Sequence, residues 1–130
     1  MITLPPTPRM VAVLPGIEAN IAAMAAYAKA RGKALRPHAK THKSPDIAKL
    51  QMAAGAVGIS CATVSETEAM AAADIEGLLL TSPIALEKCA RIAALQRAGK
   101  DVMAVVDSIA LVDAYAATGA PLRLLVDIDI

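Results

Sequence analysis

The residues with the most chemistry in them stand together between Leu35 and Lys43, in the run Leu-Arg-Pro-His-Ala-Lys-Thr-His-Lys. With period-two alternation, Arg36, His38 and Lys40 share one face of an extended segment, while Pro37 and Ala39 share the other. Like charge nearby, from Lys43 and Arg36, is expected to favour the neutral form of the Lys40 amine. A neutral amine can attack an aldehyde carbonyl and form a Schiff base. The same residue types permit other readings: a solvated basic surface, a phosphate or nucleic-acid patch, or a metal pair in His38 and His42. The histidine spacing suits a helix, which Pro37 opposes, and no third ligand of suitable type lies close by. A nucleic-acid patch would need a basic excess and aromatic platforms. The chain has neither.

Other candidates are spread along the chain at places where strands are expected to end. Thr63, Thr81 and Asp107 fall at C-terminal strand ends, and Asp127 and Asp129 alternate onto one face of the last strand. In a β/α sheet that is the end where active sites are built. Cys61 reads as a small buried residue rather than a nucleophile. Met24, Met52 and Met70 stand at helical core spacing.

The elements that must position these groups follow a regular rhythm. Thr3 to Pro8 is rich in proline and reads as an extended lead-in, with a short strand expected over Val11 to Leu14. A helix follows from Gly16 to Arg31, closed by Gly32. Ala34 to Lys40 reads as a strand; Ser44 caps a helix with Pro45 at its first position and Asp46 at its positive end, running to Gly55. Val57 to Thr63 is expected as a strand, and Ser65-Glu66-Thr67-Glu68 as a capping box opening a helix through Met70. Strands over Gly77–Thr81, Val102–Asp107 and Leu122–Ile130 alternate with helices over Pro83–Ala98 and Ile109–Ala117. Strict alternation with continuous apolar strands predicts a parallel sheet covered by helices. Five such strands fall short of the eight that close a barrel. The expectation is therefore an incomplete parallel β/α barrel, with the rest of the barrel lying outside these 130 residues.

Composition supports one aliphatic core and excludes several partners. Hydrophobic residues make up 56% of the chain but aromatics only 2%, so helices must pack on an aliphatic sheet. Thirteen basic residues against twelve acidic ones give no global attraction to nucleic acid or to a membrane surface. No apolar run approaches the ~20 residues of a membrane span. Two cysteines and a proline-broken start are the pattern of a cytoplasmic protein.

Arg36-Pro37-His38-Ala39-Lys40-Thr41-His42-Lys43 resembles the RPHxKTHK signature of the D-threonine aldolase and eukaryotic-type D-serine dehydratase family. Shorter matches follow in order: Gly55-Ala56-Val57-Gly58, Thr63-Val64-Ser65-Glu66, Leu79-Leu80-Thr81-Ser82-Pro83, Val105-Val106-Asp107-Ser108 and Val126-Asp127-Ile128-Asp129. The likeness runs from Thr7-Pro8 to the end. It implies a pyridoxal-phosphate enzyme on an alanine racemase-type barrel, with residues 1–130 as its N-terminal segment. Lys40, not Lys43, would be the Schiff-base lysine, and His38 and Thr81 would lie against the cofactor. The resemblance further implies a lyase cleaving the Cα–Cβ bond of β-hydroxy-D-amino acids, or a D-serine-type dehydratase or racemase of the same fold. A non-catalytic α/β binding module is the reading from another class. A divalent metal (Mn, Mg or Zn) belongs to the full-length form, with no ligands expected in this segment. So do the cofactor-phosphate loops and a C-terminal β-domain. A homodimer is expected of the full-length form and self-association of the segment, which alone should be inactive. Asp74 stands where the family pattern suggests a turn glycine.

Overall fold

The computed structural model describes residues 11–128; the lead-in over Thr3–Pro8 and the strand end at Asp129 and Ile130 lie outside them. Its elements run α1 (Leu14–Ala30), α2 (Pro45–Ala53), β1 (Ser60–Cys61), α3 (Val64–Ala72), β2 (Leu78–Leu80), α4 (Cys89–Arg97), β3 (Val102–Val106), α5 (Ile109–Ala116) and β4 (Arg123–Val126). The sheet order is β1-β2-β3-β4, and every pairing is parallel. Ahead of β1, the segment over residues 35–39 lies alongside as a fifth parallel member. Its ladder is short: Val57 donates to the Leu35 carbonyl (2.9 Å), Ser60 to that of Pro37 (2.8 Å), and Ala39 to that of Ser60 (2.8 Å). Five parallel segments in chain order are what the opening strands of a β/α barrel would make.

Register decides which side chains face which way. Cys61, Leu80 and Ala104 are aligned across the sheet and fully buried under the helices, as are Leu78 and Val102 one step below. With Ile59, Met70, Ile92, Leu111 and Tyr115 they form the core. The neighbouring row, His38-Ser60-Leu79-Met103-Arg123, turns to the other face, which no described helix covers.

Several expected boundaries move, each for a local reason. Val11 to Val13 is not a strand, and α1 begins at Leu14, because Pro15 sits well in a first helical turn. The capping box opens at Thr63 rather than Ser65. Thr63 Oγ1 accepts from Glu66 N (3.1 Å), and the Glu66 carboxylate reaches back to Ala62 N (2.8 Å). Pro83 does not start a helix: residues 83–85 are irregular, and a short 3-10 turn over Leu86–Lys88 leads into α4. Met24 is not core, being 52% exposed on an α1 whose one buried residue is Ala28. Asp74 does take the left-handed conformation (φ 60°) that a turn glycine would adopt without cost.

Candidate active site

At the C-terminal end of the first extended segment, a chain of hydrogen bonds runs from backbone to backbone through two side chains. Lys40 N donates to His38 Nδ1 (3.2 Å), and His38 Nε2 lies 3.1 Å from Thr81 Oγ1. Thr81 Oγ1 in turn donates to the Cys61 carbonyl (3.1 Å). A hydroxyl has one proton to give, so its acceptor role falls to the bond with His38. The imidazole must then carry its proton on Nε2 and stay neutral, since Nδ1 is accepting. Burial first, and then the Lys40 charge, hold the His38 pKa below its ordinary value, with Glu66 opposing them. One tautomer of one histidine thus clamps the turn that carries Lys40 to the neighbouring strands.

The Lys40 side chain itself is exposed at this rim. The charges expected to crowd it have other partners. Arg36 runs to the opposite end of the sheet, where its guanidinium donates to the Gly77 carbonyl. Gly58 makes this passage possible, since a Cβ there would run into both that carbonyl and the guanidinium. Lys43, in the left-handed region at φ 50°, pairs with Glu66 (3.4 Å) in the first turn of α3. The expectation that Arg36 and Lys43 act together on Lys40 is therefore corrected: both charges are engaged elsewhere.

The remaining candidates spread out. Thr63 lies at the end of its strand segment, but its hydroxyl is occupied in capping α3. Asp107 and Asp127 follow β3 and β4, both exposed, and Asp127 N donates to the Val106 carbonyl (2.8 Å). No hydrogen bond joins either carboxylate to Lys40 among the described residues, and Asp129 lies outside them. His42 Nδ1 accepts from Ser44 N (3.0 Å), while its Nε2 is buried near Gln51 without a well-formed bond. Both His38 nitrogens are engaged, one by Lys40 N and one by Thr81, so His38 has no nitrogen left to pair with His42 at a metal. Among the described residues no three His, Cys, Asp or Glu side chains are grouped to hold a metal ion. Cys61 is fully buried, and burial pushes its thiol up to about 11, well away from a reactive thiolate. A hollow of about 860 Å³ opens between α1, α2 and the first segment, lined by Ile21, Met24, Leu35, Pro37 and Gln51, on the side away from Lys40.

Glu66 is the residue that sequence reasoning undervalued. It was visible as the acid of a Thr-x-x-Glu pattern at Thr63, which the competing Ser65-Glu68 frame obscured. Its side chain is only 10% exposed, yet it meets Ala62 N, Lys43 and the field of His38. Burial would raise this carboxyl, but the Ala62 N–H, Lys43 and His38 together hold it below the usual range.

The profile of the alanine racemase N-terminal domain matches residues 14–130, nearly the whole chain. The chain belongs to the alanine racemase N-terminal domain family. Within it, the chain is 40% identical over 129 residues to the 3-hydroxy-D-aspartate aldolase of Paracoccus denitrificans, covering 95% of this chain and 33% of that protein. It is also 40% identical over 113 residues to the D-threo-3-hydroxyaspartate dehydratase of Delftia sp. strain HT23, covering 87% and 30%. The crystal structure of D-threonine aldolase from Filomicrobium marinum superposes with a TM-score of 0.80 at 39% identity, over 89% of this chain and 32% of that one. The chain thus spans about a third of the length of the proteins it matches. By their names, two of these relatives are aldolases and one is a dehydratase.

Proposed function

We propose that this chain carries the cofactor lysine of a pyridoxal-phosphate lyase that cleaves the Cα–Cβ bond of β-hydroxy-D-amino acids. The observation that carries the proposal is the placement of Lys40: exposed at the C-terminal end of the first parallel segment, on a turn held by the His38–Thr81 clamp. The residues fit the group. Lys40 would hold pyridoxal phosphate covalently through its amine, and the neutral imidazole of His38 beside it would add no second positive charge. When bound, the cofactor supplies an electron sink for the negative charge left at the substrate Cα.

What this chain's own residues do is orient. His38 donates to Thr81 and accepts from Lys40 N, so the lysine backbone is fixed to two neighbouring strands. The helix-covered face of the sheet keeps water from the far side of those strands. Position held on a rigid element is what turns an amine into a catalytic group. A divalent metal would add a Lewis acid at the β-hydroxyl. The described residues present no group of three His, Cys, Asp or Glu side chains to hold one.

A dehydratase reading stands beside the aldolase reading, because relatives of both activities are equally similar to the chain. Product analysis separates them. With 3-hydroxy-D-aspartate, pyridoxal phosphate and manganese, the longest form of the protein that the reading frame encodes should release glycine and an aldehyde. Release of ammonia and a keto acid would establish the dehydratase, and formation of the L-epimer a racemase. None of these products, with cofactor bound at Lys40, would leave the binding module. Residues 1–130 alone are expected to be inactive, because the cofactor phosphate, its ring and the substrate hydroxyl all need partners besides Lys40. They are also expected to self-associate through apolar residues left open at both flanks: Leu14, Met24 and Tyr27 on α1, Leu125 and Val126 on β4. The cytoplasm remains the proposed location; no described helix is long and apolar enough to cross a membrane.

A further inference from the structure

Two lysines stand three residues apart on one short turn, and an aldehyde in solution has no reason to prefer either. We propose that Glu66 is a positioning residue that reserves the cofactor for Lys40 by holding the competing Lys43 against the first turn of α3. The inference rests on the assignment of Lys40 as the cofactor lysine.

The turn itself leaves both amines reachable. Ala39 O accepts from both His42 N (3.2 Å) and Lys43 N (2.7 Å), curling residues 39–43 tightly, and Lys43 closes the curl in the left-handed region. Both side chains are exposed, that of Lys43 by 67%, so burial does not separate them. Partners do. Among the described residues Lys40 has no ion-pair partner, whereas the Lys43 ammonium lies 3.4 Å from Glu66 Oε1.

Glu66 is well placed for this task. Its other oxygen accepts from Ala62 N (2.8 Å), and its own backbone N–H donates to the Thr63 cap. The carboxylate therefore has a fixed position before Lys43 arrives, so little side-chain entropy on its side opposes the contact. An ammonium held in this way must leave the carboxylate before it can attack as a free amine. Pairing thus works against Lys43 and not against Lys40, and it does so in the empty protein, before any cofactor enters.

The test reads amine reactivity at the two lysines separately. Competitive acetylation of the cofactor-free protein with trace acetic anhydride, quantified by peptide mass spectrometry, gives the Lys43-to-Lys40 rate ratio. Glu66→Gln keeps an oxygen to accept from Ala62 N but removes the charge. It should raise the ratio about two- to fivefold, the range an exposed ion pair supplies. Glu66→Asp, which keeps the charge on a shorter stem, should fall between. Circular dichroism and the amide exchange of Ala62 confirm that the loop is intact in each variant. In a second arm, both proteins are loaded with pyridoxal phosphate and reduced with borohydride. The wild type should carry its label on Lys40, and Glu66→Gln should spread part of it to Lys43. An unchanged acetylation ratio, or label confined to Lys40 in both proteins, overturns the role of Glu66 alone. A wild-type label that misses Lys40 overturns the functional reading, and this inference with it.

Discussion

The two faces of the sheet obey different rules. On the helix-covered face, Ile59, Cys61, Leu78, Leu80, Val102 and Ala104 are wholly buried, and nothing distinguishes them but volume and shape. On the other face, His38, Thr81 and, at its foot, Arg36 make specific polar contacts, and nearly all remain partly open to solvent. The first face holds the fold together by removing apolar area from water. The second contributes little area but fixes one tautomer, one turn and one lysine. Close packing and specific polar contacts thus occupy opposite sides of the same strands, so a change on the covered face should cost more stability than one on the open face.

That separation sets the sizes of the expected effects. The largest falls on the covered face: Leu80→Ala should cost about 2–5 kcal/mol, through lost transfer energy and the cavity left behind. Urea denaturation followed by circular dichroism measures it. A loss below 1 kcal/mol would mean that the face is not a packed core. Next comes Gly58→Ala, at the foot of the open face. Its φ of 151° and the carbonyl and guanidinium that a Cβ would meet predict a loss of about 1–3 kcal/mol. An additional Arg36→Ala change should recover part of it, since one of the two obstacles is then gone.

Thr81→Val is a smaller disturbance. It removes the acceptor for His38 Nε2 and should cost about 1 kcal/mol. The more telling sign is local: amide exchange at Lys40 should quicken while exchange at Leu80 stays slow. The mildest effect comes from pH. Burial is the main cause holding His38 and His42 below their ordinary value of 6.5, with Lys40 adding to it at His38. Below that value the unfolded chain binds protons that the folded chain resists. Their contribution is then complete above pH 6.5 and lost as pH falls through the lowered folded values. The urea midpoint should drop between pH 7 and pH 5, and the double change His38→Gln with His42→Gln should flatten that drop.

The same division explains what could be read from the sequence. The covered face was legible because a strand lying under helices must present apolar side chains to them, and Val102–Val106 or Leu78–Leu80 can be little else. Helix starts with a strong local device were legible too, as at Ser44-Pro45. Where two devices competed, as Thr63 did with Ser65, local pattern could not choose; the geometry of the Ala62–Glu66 bond did. The placement of Lys40 at the end of the first extended segment was legible by type and spacing. The partners of its charged neighbours were not, because Arg36 meets Gly77 and Lys43 meets Glu66 across sequence gaps that no local pattern spans. Met24 was misread because helical spacing says which residues share a face, not whether anything described here covers it.

The central claim is that the open face exists to present Lys40. The most direct measurement is borohydride reduction of the pyridoxal-phosphate-loaded protein, in the longest form its reading frame encodes, followed by peptide mapping. A single phosphopyridoxyl label on Lys40, abolished in Lys40→Ala without a loss of folding, is the result predicted. A label on Lys43 in its place, or an unchanged yield of label in Lys40→Ala, would contradict the account.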